Sequence, residues 1–332
     1  MSMTSFDLSC VGFYTFDALC RPVTEIPPGG QTAFVEDYTL AVSGAAGSAS
    51  IVAAKYGLRV QAVGGVGYDD MGDWVRLKLS SYGIDVRLMQ RCEGFSTSSS
   101  IVTTRPDGTR PALHKRGATD AFYVSDSDID GVLDTKILHI GGVGLMNRMD
   151  DSGRTAELMS EARRRGVITT LDVFASTPDD LPKVEALLPY TDYFLPSEEE
   201  AKALSGLREN RDLADFLLSR GAGCVILTLG GEGAYYHDQS GLEFHSPAFQ
   251  VEVKCTCGCG DCFNGGFATG LVKGLSPYDA VELGQASSAL NATGLGSQAG
   301  VIDYEDTLRF IGSTPRRGEV IFGQAGVMET MR

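Results

Sequence analysis

Three short apolar runs, Ile137-Leu138-His139-Ile140, Val167-Ile168-Thr169-Thr170-Leu171 and Cys224-Val225-Ile226-Leu227-Thr228-Leu229, are rich in β-branched residues and bounded by Gly or polar positions. Runs of this kind predict strands buried on both faces. Between and after them the pattern changes to helical spacing, over 152–165, 197–205, 210–219 and about 261–273. Strand and helix in alternation predict a doubly wound, mostly parallel sheet flanked by helices, an α/β fold. Residues 13–43 and 85–116 instead alternate polar and apolar positions, and Pro106-Asp107-Gly108-Thr109 reads as a hairpin turn between 97–104 and 110–115. These two segments are expected to form a small β-sheet lid. No repeat, low-complexity tract or long linker interrupts the chain, so residues 1–332 are read as one domain with the lid inserted in it.

At 332 residues and 43% hydrophobic, the chain can bury a sizeable core. Its 43 acidic against 28 basic residues give a net charge of −15, which argues against a nucleic-acid backbone or an anionic membrane as partner. Arg163-Arg164-Arg165 is the one dense basic run, and it fits the C-terminal turn of the helix at 152–165 better than a binding patch. No basic residue precedes Arg21 and no apolar stretch has the length of a membrane span, so a cytoplasmic protein is expected.

The densest chemistry lies in Cys255-Thr256-Cys257-Gly258-Cys259-Gly260-Asp261-Cys262-Phe263, a small-residue loop running into an apolar helix. The glycines let the backbone approach a ligand, and the helix start offers unpaired N–H groups to an anion such as phosphate. Asp261 then reads either as a helix cap or as a base taking a proton from an attacking hydroxyl. Four cysteines in eight residues also admit a metal or redox reading. Their i, i+2, i+4 spacing strains a tetrahedral site, and small buried residues filling a packed loop explain them more simply. A thiol at the helix start is expected to be acidified.

The loop resembles the C-terminal signature of the ribokinase-like (PfkB) carbohydrate kinases, D-T-x-G-A-G-D-x-F, at Thr256, Gly258, Gly260, Asp261 and Phe263. The resemblance implies Asp261 as catalytic base and the Gly258, Cys259 and Gly260 backbone as an anion hole. Cys255 replaces the first Asp of the signature, the residue tied to monovalent-cation binding, so activation by potassium is not implied. Further stretches are similar to the same family in the same order. Val11 to Asp17 resembles its first strand and substrate-contacting Asp, here Asp17, though an Asp after a strand is also an ordinary turn residue. Ser43-Gly44-Ala45-Ala46-Gly47-Ser48 resembles G-G-x-x-x-N, with Gly44 and Ser48 at substrate-binding positions and Ser48 in place of Asn. Read by residue type alone, it is a small-residue helix start packed on a strand.

Ser197-Glu198-Glu199-Glu200 resembles N-x-x-E and implies Glu200 beside a hydrated magnesium ion, while the same four residues form a capping box. Thr228, Gly230 and Gly233 match the nucleotide loop T-x-G-x-x-G, and Asn291 lies where the helix beside the adenine pocket is expected. The chain has no Gly-Lys dipeptide and hence no Walker loop, and His114, His139, His237 and His245 have no ligand spacing. The resemblance implies transfer of phosphoryl from ATP, with Mg2+, to a hydroxyl of a small sugar. Its alternatives are a nucleoside acceptor, or a sugar-binding regulatory protein weakened by the departures at Ser48, Ser197 and Cys255. Lid edges invite pairing between protomers, which makes a homodimer an expectation.

Overall fold

The computed structural model describes residues 4–174 and 177–323. A ten-stranded sheet carries the molecule, in the order 321–322, 243–246, 234–238, 224–228, 193–194, 168–173, 135–143, 6–12, 60–66, 89–91. The seven strands from Cys224–Thr228 to Met89–Arg91 run parallel, and the other three extend the sheet antiparallel at one edge. Strand Val60–Val66 is buried at all seven positions and Thr135–Val143 at all but Lys136, as expected for strands covered on both faces. Separate apolar clusters fill the two sides: one centres on Leu138, Ile140, Leu171 and Phe194, the other on Leu8, Cys10, Ala62 and Ile137.

The first strand, Phe6–Gly12, lies between Val60–Val66 and Thr135–Val143, so the winding reverses beside it. In open α/β sheets ligands bind at such a reversal, outside the carboxyl ends of the strands. Helix Ala45–Lys55 covers this point and packs on helix Cys259–Val272, which in turn packs on Pro277–Ala292. The contacts are close because the sequence supplies small residues. A Cβ on Gly265 would come within 2.6 Å of the Ala49 carbonyl, and one on Gly266 within 2.3 Å of Ser287 Oγ. This stack fixes where the second of these helices begins.

The smaller sheet has the order 37–43, 15–21, 99–103, 112–115. Its outer pairs are antiparallel, and Thr15–Arg21 runs parallel to Ser99–Thr103. The turn at 106–109 joins the last two strands as the sequence predicts. The expected lid segment 85–116 is partly corrected: Met89–Arg91 pairs with Gly64 to Val66 and forms the edge of the large sheet. The helix expected at 152–165 is shorter, Arg154–Arg164, preceded by Gly153 at φ 76° and a separate turn of helix at Asn147–Asp151. The helix expected from Asp261 begins at Cys259, with Gly258 as its N-cap.

Asp69 ties the lid to the body. It caps helix Asp70–Ser81 through Gly72 N at 2.8 Å and also accepts from Thr97 N and Oγ1, at 2.8 and 2.6 Å. Thr97 stands two residues before the lid strand Ser99–Thr103.

Candidate active site

A cavity of about 790 Å³ opens between the lid and the carboxyl ends of the large sheet. On one side stands the loop from Cys255 to Gly258. Asn291 Nδ2 donates to the Cys257 carbonyl at 2.8 Å, and Gln298 N in turn donates to Asn291 Oδ1 at 2.6 Å. The loop turns into its helix at Gly258, whose φ of 70° and whose place 2.4 Å from Ser297 Oγ for any Cβ leave only glycine. Among the described residues, the N–H groups of Gly258, Gly260 and Asp261 have no acceptor, while that of Cys259 makes a long 3.4 Å bond to the Thr256 carbonyl. A Cβ on Gly260 would meet nothing within 4 Å, so the helix start is open toward the cavity. Converging free donors and a positive helix end form an anion cradle.

Asp261 is the third residue of that helix and stands half-buried in the cavity wall. Burial pushes its carboxyl up to about 6; the Arg110 guanidinium and the Ser48 hydroxyl oppose this, and the charge of Asp17 adds to it. A carboxylate with its affinity raised toward neutrality, beside an anion cradle, is suited to take a hydroxyl proton. Asp17 projects from the lid strand Thr15–Arg21, level with Ser100 on the neighbouring strand, which is itself level with His114. Its carboxyl is also raised by burial, against which the hydroxyls of Ser43, Ser100 and Thr15 and the charge of His114 act. Asp17 and Asp261 thus stand on the lid and body sides of one cleft.

A carbohydrate-kinase family model, described as the pfkB family, matches residues 8–303. The chain belongs to the PfkB carbohydrate kinases. It is 25% identical over 286 residues to 2-dehydro-3-deoxygluconokinase of Bacillus subtilis, covering 83% of this chain and 88% of that one. It is 26% identical over 299 residues to ribokinase of Lactococcus lactis, covering 89% and 93%. Arabidopsis thaliana ribokinase, solved in complex with ribose and ATP, superposes with a TM-score of 0.78 at 22% identity, over 92% of this chain and 98% of that one.

The site residues expected from this PfkB sequence fall into two groups. Asp17, Gly44, Glu200, Thr228, Gly230, Gly258, Cys259, Gly260 and Asp261 all line the cavity. Ser48, Gly233 and Asn291 are not among its lining residues. Ser48 is fully buried beneath the loop, where a Cβ on Gly258 would lie 3.4 Å from its Oγ; that hydroxyl makes no hydrogen bond among the described residues, though it is near enough to act on the Asp261 carboxyl. Gly233, at φ 108°, is packed so closely on the neighbouring strand that a Cβ would fall 2.0 Å from the Ser246 carbonyl. Asn291 braces the anion loop from behind.

Glu200 accepts from Ser197 N at 2.8 Å and Ser197 Oγ at 2.7 Å, so the capping box forms while the carboxylate also reaches the cavity. Among the described residues no cluster of His, Cys, Asp or Glu is arranged to hold a metal ion. An ion that keeps its waters and rests mainly on phosphate oxygens, as magnesium does, needs no such cluster and fits beside Glu200. The expected acidification of a thiol at the helix start does not occur. Burial raises Cys259, raises Cys262, and pushes Cys257 up to about 12.

Residue-type reasoning missed Asp172, Arg110 and Ser297, which also line the cavity. Asp172 is the last residue but one of strand Ile168–Val173, buried at all positions after the first, and accepts from Asn264 Nδ2. Burial raises its carboxyl well above the usual range, and the charges of Glu200 and Asp261 add to that. Its place at the carboxyl end of a parallel strand was the available signal.

Proposed function

We propose that this chain transfers the γ-phosphoryl group of ATP to a hydroxyl of a small carbohydrate. The observation that carries the reading is Asp261, half-buried and with its carboxyl raised toward neutrality, in the first turn of a helix whose free N–H groups face the same cleft. Asp261 takes the proton of the acceptor hydroxyl as its oxygen attacks. The N–H groups of Gly258, Gly260 and Asp261, with a weaker share from Cys259, stabilise charge on the transferring phosphoryl. Asp17, with Ser100 and His114 beside it, accepts hydrogen bonds from the sugar, and Gly44 lets the acceptor approach the backbone. Ser48 supports Asp261 in this scheme instead of binding sugar. Thr228 and Gly230 receive the nucleotide, while Gly233 and Asn291 hold its surroundings in shape.

Magnesium, when bound, neutralises phosphate charge, and Glu200 would hold its water shell. An Escherichia coli ribokinase II solved with ATP and Mg2+, 22% identical to this chain, supports that cofactor pair. Cys255 brings a thiol where the family resemblance has a carboxylate, so turnover is expected without a monovalent-cation requirement. Lid closure excludes water that would otherwise hydrolyse ATP. The lid acts as an insertion into one domain, and the protein works in the cytoplasm; among the described residues no helix is long and apolar enough to cross a membrane.

The partner we assign is a second copy. On the lid face turned away from Asp17, Leu40, Ala18, Ile101 and Leu113 are in register across all four strands, and Ile101 and Leu113 are 56% and 71% exposed. Such a row suits a matching apolar surface.

Magnesium-dependent ADP release from ATP across ketoses, aldoses, sugar acids and nucleosides tests the function. Acceptor-dependent release with a sugar, lost in Asp261→Asn, is the expected result. Release with nucleosides alone would replace the sugar assignment, and silence across the panel would overturn the kinase reading.

A further inference from the structure

The lid hairpin between Ser99–Thr103 and Ala112–Lys115 is fastened to the anion loop at two points. Thr256 Oγ1 donates to the Gly108 carbonyl at 3.3 Å, and Thr104 Oγ1 lies 3.6 Å from Cys255 Sγ. The turn is also braced internally: Asp107 accepts from Thr109 N and Oγ1 at 2.9 and 2.7 Å, and Arg105 N donates to the Thr109 carbonyl at 2.8 Å. The loop leading into the cradle therefore sets the position of the hairpin.

Arg110 follows this turn and lines the cavity. An exposed arginine on a hairpin is ordinarily a solvated charge, but this one lines the same cavity as Gly258, Gly260 and Asp261. Among the described residues no hydrogen bond or ion pair holds its guanidinium, and its charge acts on Cys257, Cys259 and Asp261, all in or beside the cradle. The group opposing the raised carboxyl of Asp17 by charge is instead His114 when protonated, a state that burial disfavours. The cavity's carboxyls, Asp17, Asp172, Glu198, Glu199, Glu200 and Asp261, offer a phosphoryl group no positive charge: burial raises Asp172 well above the usual range, and those that are ionised repel the group.

We propose that Arg110 is a catalytic residue, its guanidinium contacting the transferring phosphoryl from the lid side, opposite the N–H groups of the helix start. The inference rests on the kinase reading above. In the step, the acceptor oxygen bonds to the γ-phosphorus as Asp261 takes its proton. The bond from phosphorus to the bridging oxygen breaks, that electron pair leaves with ADP, and Asp261 later returns its proton to solvent. Charge spreads over three equatorial oxygens, and the backbone donors reach them from one side. The planar guanidinium fork supplies donors from the other.

The test compares wild type, Arg110→Ala, Arg110→Lys and, as control on the same hairpin, Arg105→Ala, using ATP, Mg2+ and whichever acceptor the panel identifies. Arg110→Ala is expected to lower kcat about 100-fold or more, with the acceptor KM changed less than about 3-fold. Lysine should restore a minor part, added guanidinium ion should partly rescue the alanine variant, and Arg105→Ala should match wild type. Melting temperatures should move little, since the side chain has no hydrogen bond or ion pair to lose, only a longer-range attraction to Asp261. A kcat within about 3-fold of wild type overturns the proposal. So does a raised KM with kcat intact, which makes Arg110 an acceptor-binding group, or an acid limb displaced upward with an unchanged plateau, which makes it only a modulator of Asp261. A wild type silent on the whole panel overturns the kinase reading and this inference with it, whereas an active wild type with indifferent Arg110 variants overturns this inference alone.

Discussion

Replacing Asp261 with Asn is expected to abolish turnover and to stabilise the protein, two effects with one cause. Burial lifts the carboxyl from the ordinary 3.8 to about 6 in the folded chain. Between those values the folded state holds more protons than the unfolded one, so stability falls as pH rises from about 4 to about 6 and the whole penalty is present above that. A shift of about 2 units at 1.36 kcal/mol per unit amounts to a penalty of about 3 kcal/mol. Asn keeps the shape without the charge and removes the penalty at pH 7.5 but has none to remove below about pH 4. With an unfolding entropy of about 2.1 cal/mol/K per residue, a gain of that size raises the melting temperature of this chain by about 4 °C. Thermal melts at pH 7.5 and pH 4, paired with ADP release, measure both effects. In wild type, kcat/KM should fall below about pH 6 as the base is protonated. A variant that melts no higher than wild type at pH 7.5, or that retains turnover within about tenfold, would refute the assignment of a half-buried, charged base at this position.

Gly260→Ala should leave stability unchanged or raise it by about 0.5 kcal/mol, because the position is helical and open, yet lower kcat sharply because its methyl group fills the anion cradle; kinetics beside denaturant melts check this, and normal turnover would show that phosphate does not sit there. Leu113→Lys should convert a dimer to monomers in light scattering after size exclusion; a monomeric wild type would remove the lid face as an interface. Asp69→Ala should cost about 2 to 3 kcal/mol in urea denaturation, since it removes a helix cap and both hydrogen bonds holding Thr97; a loss under about 0.5 kcal/mol would mean that water replaces them.

The large sheet was legible because its signal is local: strands such as Cys224–Thr228 and Ile168–Val173 announce themselves by continuous apolar runs, and the order of strand and helix sets the class. The anion loop was legible for the same reason, its glycines and Asp261 being contiguous. What the sequence concealed depends on contacts between distant segments. Nothing near Arg110 says that Thr256 will reach the Gly108 carbonyl 148 residues away, nor that Asn264 will meet Asp172. Asn291 and Gly233 stand where a linear motif expects ligand contacts, but side chains and backbone are already committed there, to the Cys257 carbonyl and to the strand at Ser246. The cysteine cluster follows from the same crowding. Behind Gly258 the loop has room only for small side chains: Ser297 and Ser48 both crowd the place where a Cβ on that glycine would go, Cys257 and Cys262 are buried, and Cys255 meets Thr104 of the lid. Thiols so enclosed fill volume and are held protonated by burial where a direction is resolved. Packing behind the cradle therefore accounts for residues that, read along the chain, look like a metal site, and it leaves the chemistry in front of the cradle to Asp261, the backbone and the lid.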